Sequence, residues 1–135
     1  MMRESSPEAG SFPLYIHDAF NLQEYSGYAA NRTDFVVEDH HSYFVFDSDD
    51  ASRNATSDAA VVRTSVYQSL SSASNAQRRN LIAGEWSCAL VDSALTNMTD
   101  PSLARQEFCQ GQEQVYANTT AGWHFWSEFD TLRFN

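Results

Sequence analysis

Apolar residues fall into two patterns along this chain, short dense runs and longer stretches with helical spacing. The dense runs are rich in branched and aromatic side chains and are bounded by polar residues, which is typical of β-strands. They occupy residues 12–17, 35–46, 80–86 and 122–127. We expect a strand in each run, and a weak helix or irregular link at residues 21–30 between the first two.

The stretches between the later runs predict helices. Apolar residues recur at three- and four-residue steps over residues 62–73, on one face of a helix that we expect to span residues 58–79. A polar loop at residues 47–57 would precede it. Asp100-Pro101 has the form of an N-cap followed by a first-turn proline, and starts the second helix. Strands that alternate with helices predict an α/β fold with a parallel sheet.

Composition and charge narrow the classes of partner. The chain has 135 residues, which suits one small domain or part of a larger one. Its 18 acidic residues outnumber 8 basic ones, all of them arginine, and the formal net charge is -10. Because phosphate binding needs a basic surface, we expect no nucleic-acid partner. A neutral ligand such as a sugar fits this composition, and no apolar run is long enough to span a membrane.

Secretion is favoured by one feature of the sequence and opposed by another. N-x-[ST] triplets, the acceptor pattern for N-glycosylation, begin at Asn31, Asn54, Asn97 and Asn118. Residues 1–10, however, contain no apolar segment of a signal peptide. A chain that lacks its original N-terminus would reconcile the two. The two cysteines, Cys88 and Cys109, are far enough apart in sequence to form a disulfide. The alternative is that both are buried free thiols.

Polar and aromatic residues at the ends of the predicted strands are the candidates for chemistry. The carboxyl ends of parallel strands meet at one edge of a sheet, where α/β enzymes place their sites. Glu85 ends the third strand, while His41 and Tyr43 are two residues apart and therefore point to the same side. The other candidates are His17, Asp18, Phe20, Trp86, Trp123 and Trp126. Aromatic faces beside hydrogen-bonding groups suit a sugar site.

Two other kinds of chemistry fit these residues less well. Asp39-His40-His41 could bind a metal, but adjacent strand residues point to opposite faces, so we expect no metal site. A serine hydrolase needs a sharp turn at its nucleophile, and the sequence contains no G-x-S-x-G segment. We also expect no cofactor.

Four segments occur in an order that resembles a known family. They are residues 16–20 (IHDAF), 39–46 (DHHSYFVF), 83–87 (AGEWS) and 122–127 (GWHFWS). Together they resemble the fungal exo-β-1,3-glucanases of glycoside hydrolase family 5, over residues 12–127. The resemblance implies a (β/α)8 barrel, of which this chain would carry the fifth to eighth strands.

The same resemblance implies roles for individual residues. Glu85 takes the position of the catalytic nucleophile. His41, Tyr43, Trp126 and Phe20 take positions that bind the substrate. A β-glucan or oligosaccharide would be the partner, without a cofactor, and the location would be extracellular or in the cell wall.

The chain departs from the family pattern at several points. It has Ser42 where relatives often carry His, and it lacks the Asn-Glu-Pro segment that supplies the acid/base Glu. Retaining hydrolysis needs two carboxyl groups about 5 Å apart, so we expect residues 12–127 to be a partial glycosidase domain that lacks the acid/base half. A polar tail at 1–11 and a divergent tail at 128–135 would flank it. The alternative is a non-catalytic carbohydrate-binding or interaction remnant.

Overall fold

Four parallel strands form one sheet in the order in which they occur along the chain. The computed structural model describes residues 6–126, so Ser127 and the tail 128–135 lie outside the described residues. The strands are β1 Leu14–His17, β2 Val36–Ser42, β3 Leu81–Trp86 and β4 Trp123–Phe125. Each pairs in parallel with the next. The predicted α/β fold with a parallel sheet is therefore confirmed, with strands one to five residues shorter than their apolar runs.

Helices connect the strands and pack side by side. The longer ones are α1 Leu22–Ala30, α3 Ala55–Val61, α4 Tyr67–Ala76 and α6 Pro101–Thr119. The shorter ones are a 3-10 helix at Pro7–Ser11, α2 Ser48–Ser52 and α5 Asp92–Leu95. Contacts join α1 to α4 and α4 to α6, so these helices form one layer. Residues 7–11 of the polar N-terminal tail are thus helical.

The helix predicted at residues 58–79 has different ends in the structure. It begins at Ala55, because the Asn54 side chain accepts a hydrogen bond from the Ser57 amide at 2.9 Å. A π-helical segment, Val62–Val66, joins α3 to α4. The last turn ends at residue 76, and Arg78 and Arg79 follow with left-handed φ of 56° and 67°. Their guanidinium groups donate to backbone oxygens of neighbouring loops, which compensates for this unfavourable backbone.

The polar stretch at residues 47–57 is not a simple loop, because it contains α2. Asp47 and Asp50 form a capping box in which each side chain accepts from the backbone of the other. Asp50 also accepts from the Phe46 amide and from the guanidinium of Arg53. Three acids close together predicted a solvated loop, but local capping makes them the start of a helix.

The core lies between the sheet and the helix layer. Leu81 and Ala83 of β3 are buried against Leu70 of α4 and against Phe108 and Tyr116 of α6. Each large apolar side chain buried in this way contributes roughly 1.5–3 kcal/mol. The helix layer therefore covers one face of the sheet, and the other face carries the residues described next.

Helix α6 also supports the segments that follow β2 and β3. Cys88 and Cys109 form a disulfide, with their Cα atoms 4.9 Å apart, so the free-thiol alternative is wrong. The Gln112 amide donates to the carbonyl of Ser87 at 2.8 Å. The Tyr116 hydroxyl donates to the hydroxyl of Ser42 at 2.9 Å. The ends of two neighbouring strands are thereby held against one helix.

Candidate functional site

Glu85 lies on the open face of the sheet because of a β-bulge in β3. Leu81 and Ala83 point into the core, and strict alternation would send Glu85 there as well. The register shifts at this point: His40 pairs with Ala83, but His41 pairs with Glu85. Gly84 is the extra residue, so Glu85 shares a face with His41.

The side chains of His41, Tyr43 and Glu85 meet at the carboxyl end of β2 and β3. The Tyr43 hydroxyl donates to Oε2 of Glu85 at 3.0 Å. Nδ1 of His41 lies 3.2 Å from the same oxygen. The Glu85 side chain remains 30% exposed, so an external molecule can reach it. Three of the residues selected from the sequence therefore form one cluster.

Tyr43 remains a hydrogen-bond donor in this cluster. Burial raises the pKa of Tyr43 to about 12, and the hydrogen bond to Glu85 and the charge of its carboxylate act in the same direction. The hydroxyl consequently keeps its proton at neutral pH. One oxygen of Glu85 is held by a permanent donor.

Two further side chains of the open face adjoin His41. Its Nε2 lies 3.6 Å from Oδ1 of Asp39, and its ring centre lies 4.2 Å from that of His17. Strand pairing explains this grouping, because His17 pairs with Asp39 and Asp39 precedes His41 by two residues.

Phe20 reaches this edge through a strained corner after β1. Ala19 and Phe20 both have left-handed φ, 49° and 63°. The Phe20 amide donates to the buried carboxylate of Asp18 at 2.9 Å, and the Ala19 amide donates to Nδ1 of His17 at 3.1 Å. Such backbone persists only where surrounding bonds hold it, and it is common at binding sites. The Phe20 ring is exposed, with its centre 6.2 Å from the ring of His41.

A cavity of about 660 Å³ opens beside the cluster. Phe20, His41 and Tyr43 line it together with Phe46, Asp47 and Arg53. The sequence predicted a continuous apolar run through residue 46, but β2 ends at Ser42. Phe44 then turns into the core and Phe46 turns outward, with its ring centre 5.5 Å from that of Tyr43. Phe46 and Arg53 were therefore missed as lining residues.

Trp126 lies near the cluster without joining it. Its amide donates to the carbonyl of Trp86 at 2.8 Å, which places it beside the end of β3. The residue is 61% exposed. Within residues 6–126, no hydrogen bond or ring contact links its side chain to Glu85, His41 or Tyr43. Trp86 and Trp123 instead pack on each other at the core, with ring centres 5.4 Å apart.

Glu38 and His40 lie on the side of β2 that faces the helix layer, opposite Glu85, and His40 also lines the cavity described above. Glu38 is 1% exposed and accepts a hydrogen bond from the side-chain amide of Gln77. Burial raises the pKa of Glu38 to about 7, although the Gln77 bond opposes that shift. Nδ1 of His40 lies 2.5 Å from the buried carboxylate of Asp18. Glu38 therefore lies on the opposite side of the sheet from Glu85.

The four asparagines of the N-x-[ST] triplets are accessible, as glycosylation requires. Asn31, Asn54, Asn97 and Asn118 are all exposed, at helix ends or in loops. In the described part of the chain, no three His, Cys, Asp or Glu side chains are arranged to hold a metal ion. No helix of residues 6–126 is both long enough and apolar enough to cross a membrane.

Comparisons with known proteins indicate a glucanase-like relationship. No family model matches the chain. It is 26% identical over 117 residues to glucan 1,3-beta-glucosidase 3 of Schizosaccharomyces pombe, a match that covers 85% of this chain. The match covers 24% of the relative, so the chain spans about a quarter of that protein's length. Its sequence is therefore similar to part of a glycosidase.

Proposed function

We propose that this chain carries the nucleophile side of a retaining β-1,3-glucan glycosidase site, in the half of a (β/α)8 barrel that contains strands five to eight. The observation that carries the proposal is the pair of groups on one oxygen of Glu85, the Tyr43 hydroxyl and Nδ1 of His41. The similarity to a glucan 1,3-beta-glucosidase and the motifs of family 5 support the substrate class.

The cluster suits a carboxylate nucleophile. Tyr43 and His41 hold Oε2, and Oε1 accepts no hydrogen bond from residues 6–126, so it is the oxygen available for attack. Attack on the anomeric carbon forms a C–O bond to Glu85 and breaks the glycosidic bond. The exposed rings of Phe20 and Phe46 beside the cavity, and that of Trp126 beyond it, would pack on glucosyl units.

The second carboxyl group would come from another polypeptide segment. The chain has no Asn-Glu-Pro segment, Glu38 lies beneath the sheet, and Asp39 faces His41. Without an acid the leaving group departs unprotonated, a loss of roughly 10²–10⁴-fold in rate. In a longer protein the acid/base residue would lie on the preceding strands.

A fluorinated activated glucoside tests the proposal. A dinitrophenyl 2-deoxy-2-fluoro-β-glucoside needs little acid assistance, so the chain should form a stable glycosyl ester that peptide mass spectrometry locates on Glu85. Glu85→Gln should abolish the label, and Glu113→Gln, the same change at an exposed site of α6, should not. Laminarin turnover should stay near background.

Three other outcomes bear on the proposal. Label on a different residue would contradict the role of Glu85. Rapid hydrolysis of laminarin by the chain would contradict the missing acid/base group. Binding of laminari-oligosaccharides with no label at all would support the alternative, a non-catalytic carbohydrate-binding protein.

A further inference from the structure

His41 lies between two carboxylates, one facing each of its ring nitrogens. Nδ1 is 3.2 Å from Oε2 of Glu85, and Nε2 is 3.6 Å from Oδ1 of Asp39. A neutral imidazole carries one N–H and one bare lone pair, so it can donate in only one of these directions. The lone pair of the other ring nitrogen would then face a negative oxygen.

The Asp39 oxygen that faces His41 is buried and has no hydrogen bond within residues 6–126. A buried carboxylate oxygen without a donor is unfavourable, and Nε2 of His41 is the nitrogen that faces it. At 3.6 Å the contact is an ion pair rather than a hydrogen bond. A proton on Nε2 of His41 therefore stabilises the Asp39 carboxylate.

Gly84 makes room for this arrangement. A Cβ atom built at Gly84 would collide with Oδ1 of Asp39. The φ of Gly84 is not positive, so the backbone itself would accept alanine. Gly84 therefore leaves room for the Asp39 carboxylate on the neighbouring strand. It is also the bulge residue that moves Glu85 to the open face.

We propose that Asp39 is a positioning residue, which keeps a proton on Nε2 of His41 so that the ring is an imidazolium beside the Glu85 carboxylate. The catalytic meaning of this role rests on the proposed nucleophile, since the imidazolium would keep Glu85 ionised and hold its Oε2 in place while Oε1 attacks. The protonation of His41 is a property of the folded chain and does not depend on activity.

Groups from three strands face His41 and enter this balance. Asp39 and the Tyr43 hydroxyl come from β2 and the residues after it, and Glu85 comes from β3. His17 of β1 contacts the ring edge, but its Nδ1 accepts from the Ala19 amide. Phe20 adds an uncharged ring. Two negative groups therefore outweigh the one histidine beside His41.

Nitrogen NMR of the histidine rings tests the proposal. In chain labelled with 15N-histidine at about pH 7.5, above the ordinary titration range of histidine, both ring nitrogens of His41 should show imidazolium shifts. The four histidines are assigned by single substitution to Gln. Asp39→Asn should convert His41 to a neutral ring that keeps its proton on Nδ1. Gly84→Ala, which displaces the Asp39 carboxylate without removing it, should shift the same signals in the same direction.

Asp92→Asn, an equal charge change at an exposed position of α5, is the matched control and should leave His41 unchanged. A His41 signal that does not respond to Asp39→Asn overturns the proposal, as does a neutral ring in the unmodified chain. If the fluoroglucoside labels Glu85, Asp39→Asn should slow labelling by roughly ten- to a hundredfold, the equivalent of one charge-assisted hydrogen bond. If Glu85 is not labelled but His41 responds, the proposed function fails and the role of Asp39 stands.

Discussion

The two faces of β2 carry the same kinds of side chain in opposite environments. Glu38 and His40 point into the helix layer, where each has a fully buried partner, Gln77 or Asp18. Asp39 and His41 point to the open face, where their neighbour is the partly exposed Glu85. Four consecutive residues, two acids and two histidines, are thus divided by the alternation of the strand.

The difference shows that burial, rather than residue type, decides whether a polar pair stabilises the fold or remains accessible to a ligand. On the helix side, each polar group is fixed by a partner that water cannot replace, so removing a partner should cost stability. On the open side, solvent can replace a lost contact, and the cost should fall on the chemistry of Glu85. Substitutions on the two faces can therefore test the division directly.

The largest effect expected concerns the packing of the two faces. Phe108→Ala removes a fully buried ring from the helix layer and should lower the free energy of unfolding by about 3–5 kcal/mol. Tyr15→Ala removes an exposed ring from the open face, two residues before His17, and should cost less than about 1 kcal/mol. Urea unfolding of both variants measures the difference. Equal losses would show that the open face is packed as tightly as the helix side.

A second, smaller effect concerns the pH dependence of stability. Because the pKa of Glu38 is raised from 4.5 to about 7, the folded chain keeps a proton that the unfolded chain has lost between those values. The contribution of Glu38 to stability therefore falls as pH rises from about 4.5 to about 7, by up to roughly 3 kcal/mol. Glu38→Gln should remove this slope and be the more stable variant at about pH 8, as measured by urea unfolding at several pH values.

The exposed Glu113→Gln substitution is the control for this measurement, and it should leave the slope unchanged. If Glu38→Gln shows the same pH dependence as the unmodified chain, Glu38 does not carry the proton. Asp58, whose pKa is also raised by burial, would then be the next group to test.

Much of this division could be predicted from the sequence. Dense apolar runs that alternate with helices predicted the four parallel strands. The two-residue spacing of His41 and Tyr43 predicted that both point to one side, and in the structure both contact Glu85. The bulge could not be predicted. Strict alternation puts Glu85 with Leu81 and Ala83 in the core, and only the register shift at Gly84 moves it to the open face.

Local capping and turning explain the other differences. The capping box of Asp47 and Asp50 converted a predicted loop into a helix, and the turn after Ser42 sent Phe46 outward. Both depend on which side chain meets which backbone amide, and a hydropathy pattern does not record that. The roles of Glu85, His41, Tyr43, Phe20 and Trp126, and the glycosylation of the four asparagines, stay predictions.

The smallest effect expected separates two adjacent histidines. The side chains of His40 and His41 are almost equally exposed, at 15% and 18%, but their partners differ: Asp18 is fully buried and Glu85 is 30% exposed. His40→Ala leaves the Asp18 carboxylate without a side-chain partner and should cost about 1–3 kcal/mol of stability. His41→Ala should cost less than about 1 kcal/mol, because solvent reaches Glu85.

Labelling by the fluoroglucoside completes this last test, because the variant that loses more stability, His40→Ala, should lose less of the labelling rate. His41→Ala removes a contact to the attacking carboxylate and should slow labelling of Glu85, whereas His40→Ala should leave the labelling rate of the folded fraction nearly unchanged. Matching circular dichroism spectra establish that both variants are folded before rates are compared. A loss of labelling in His40→Ala equal to that in His41→Ala would mean that the two faces of β2 act as one unit, with the Asp18 corner and Phe20 transmitting the change to the site.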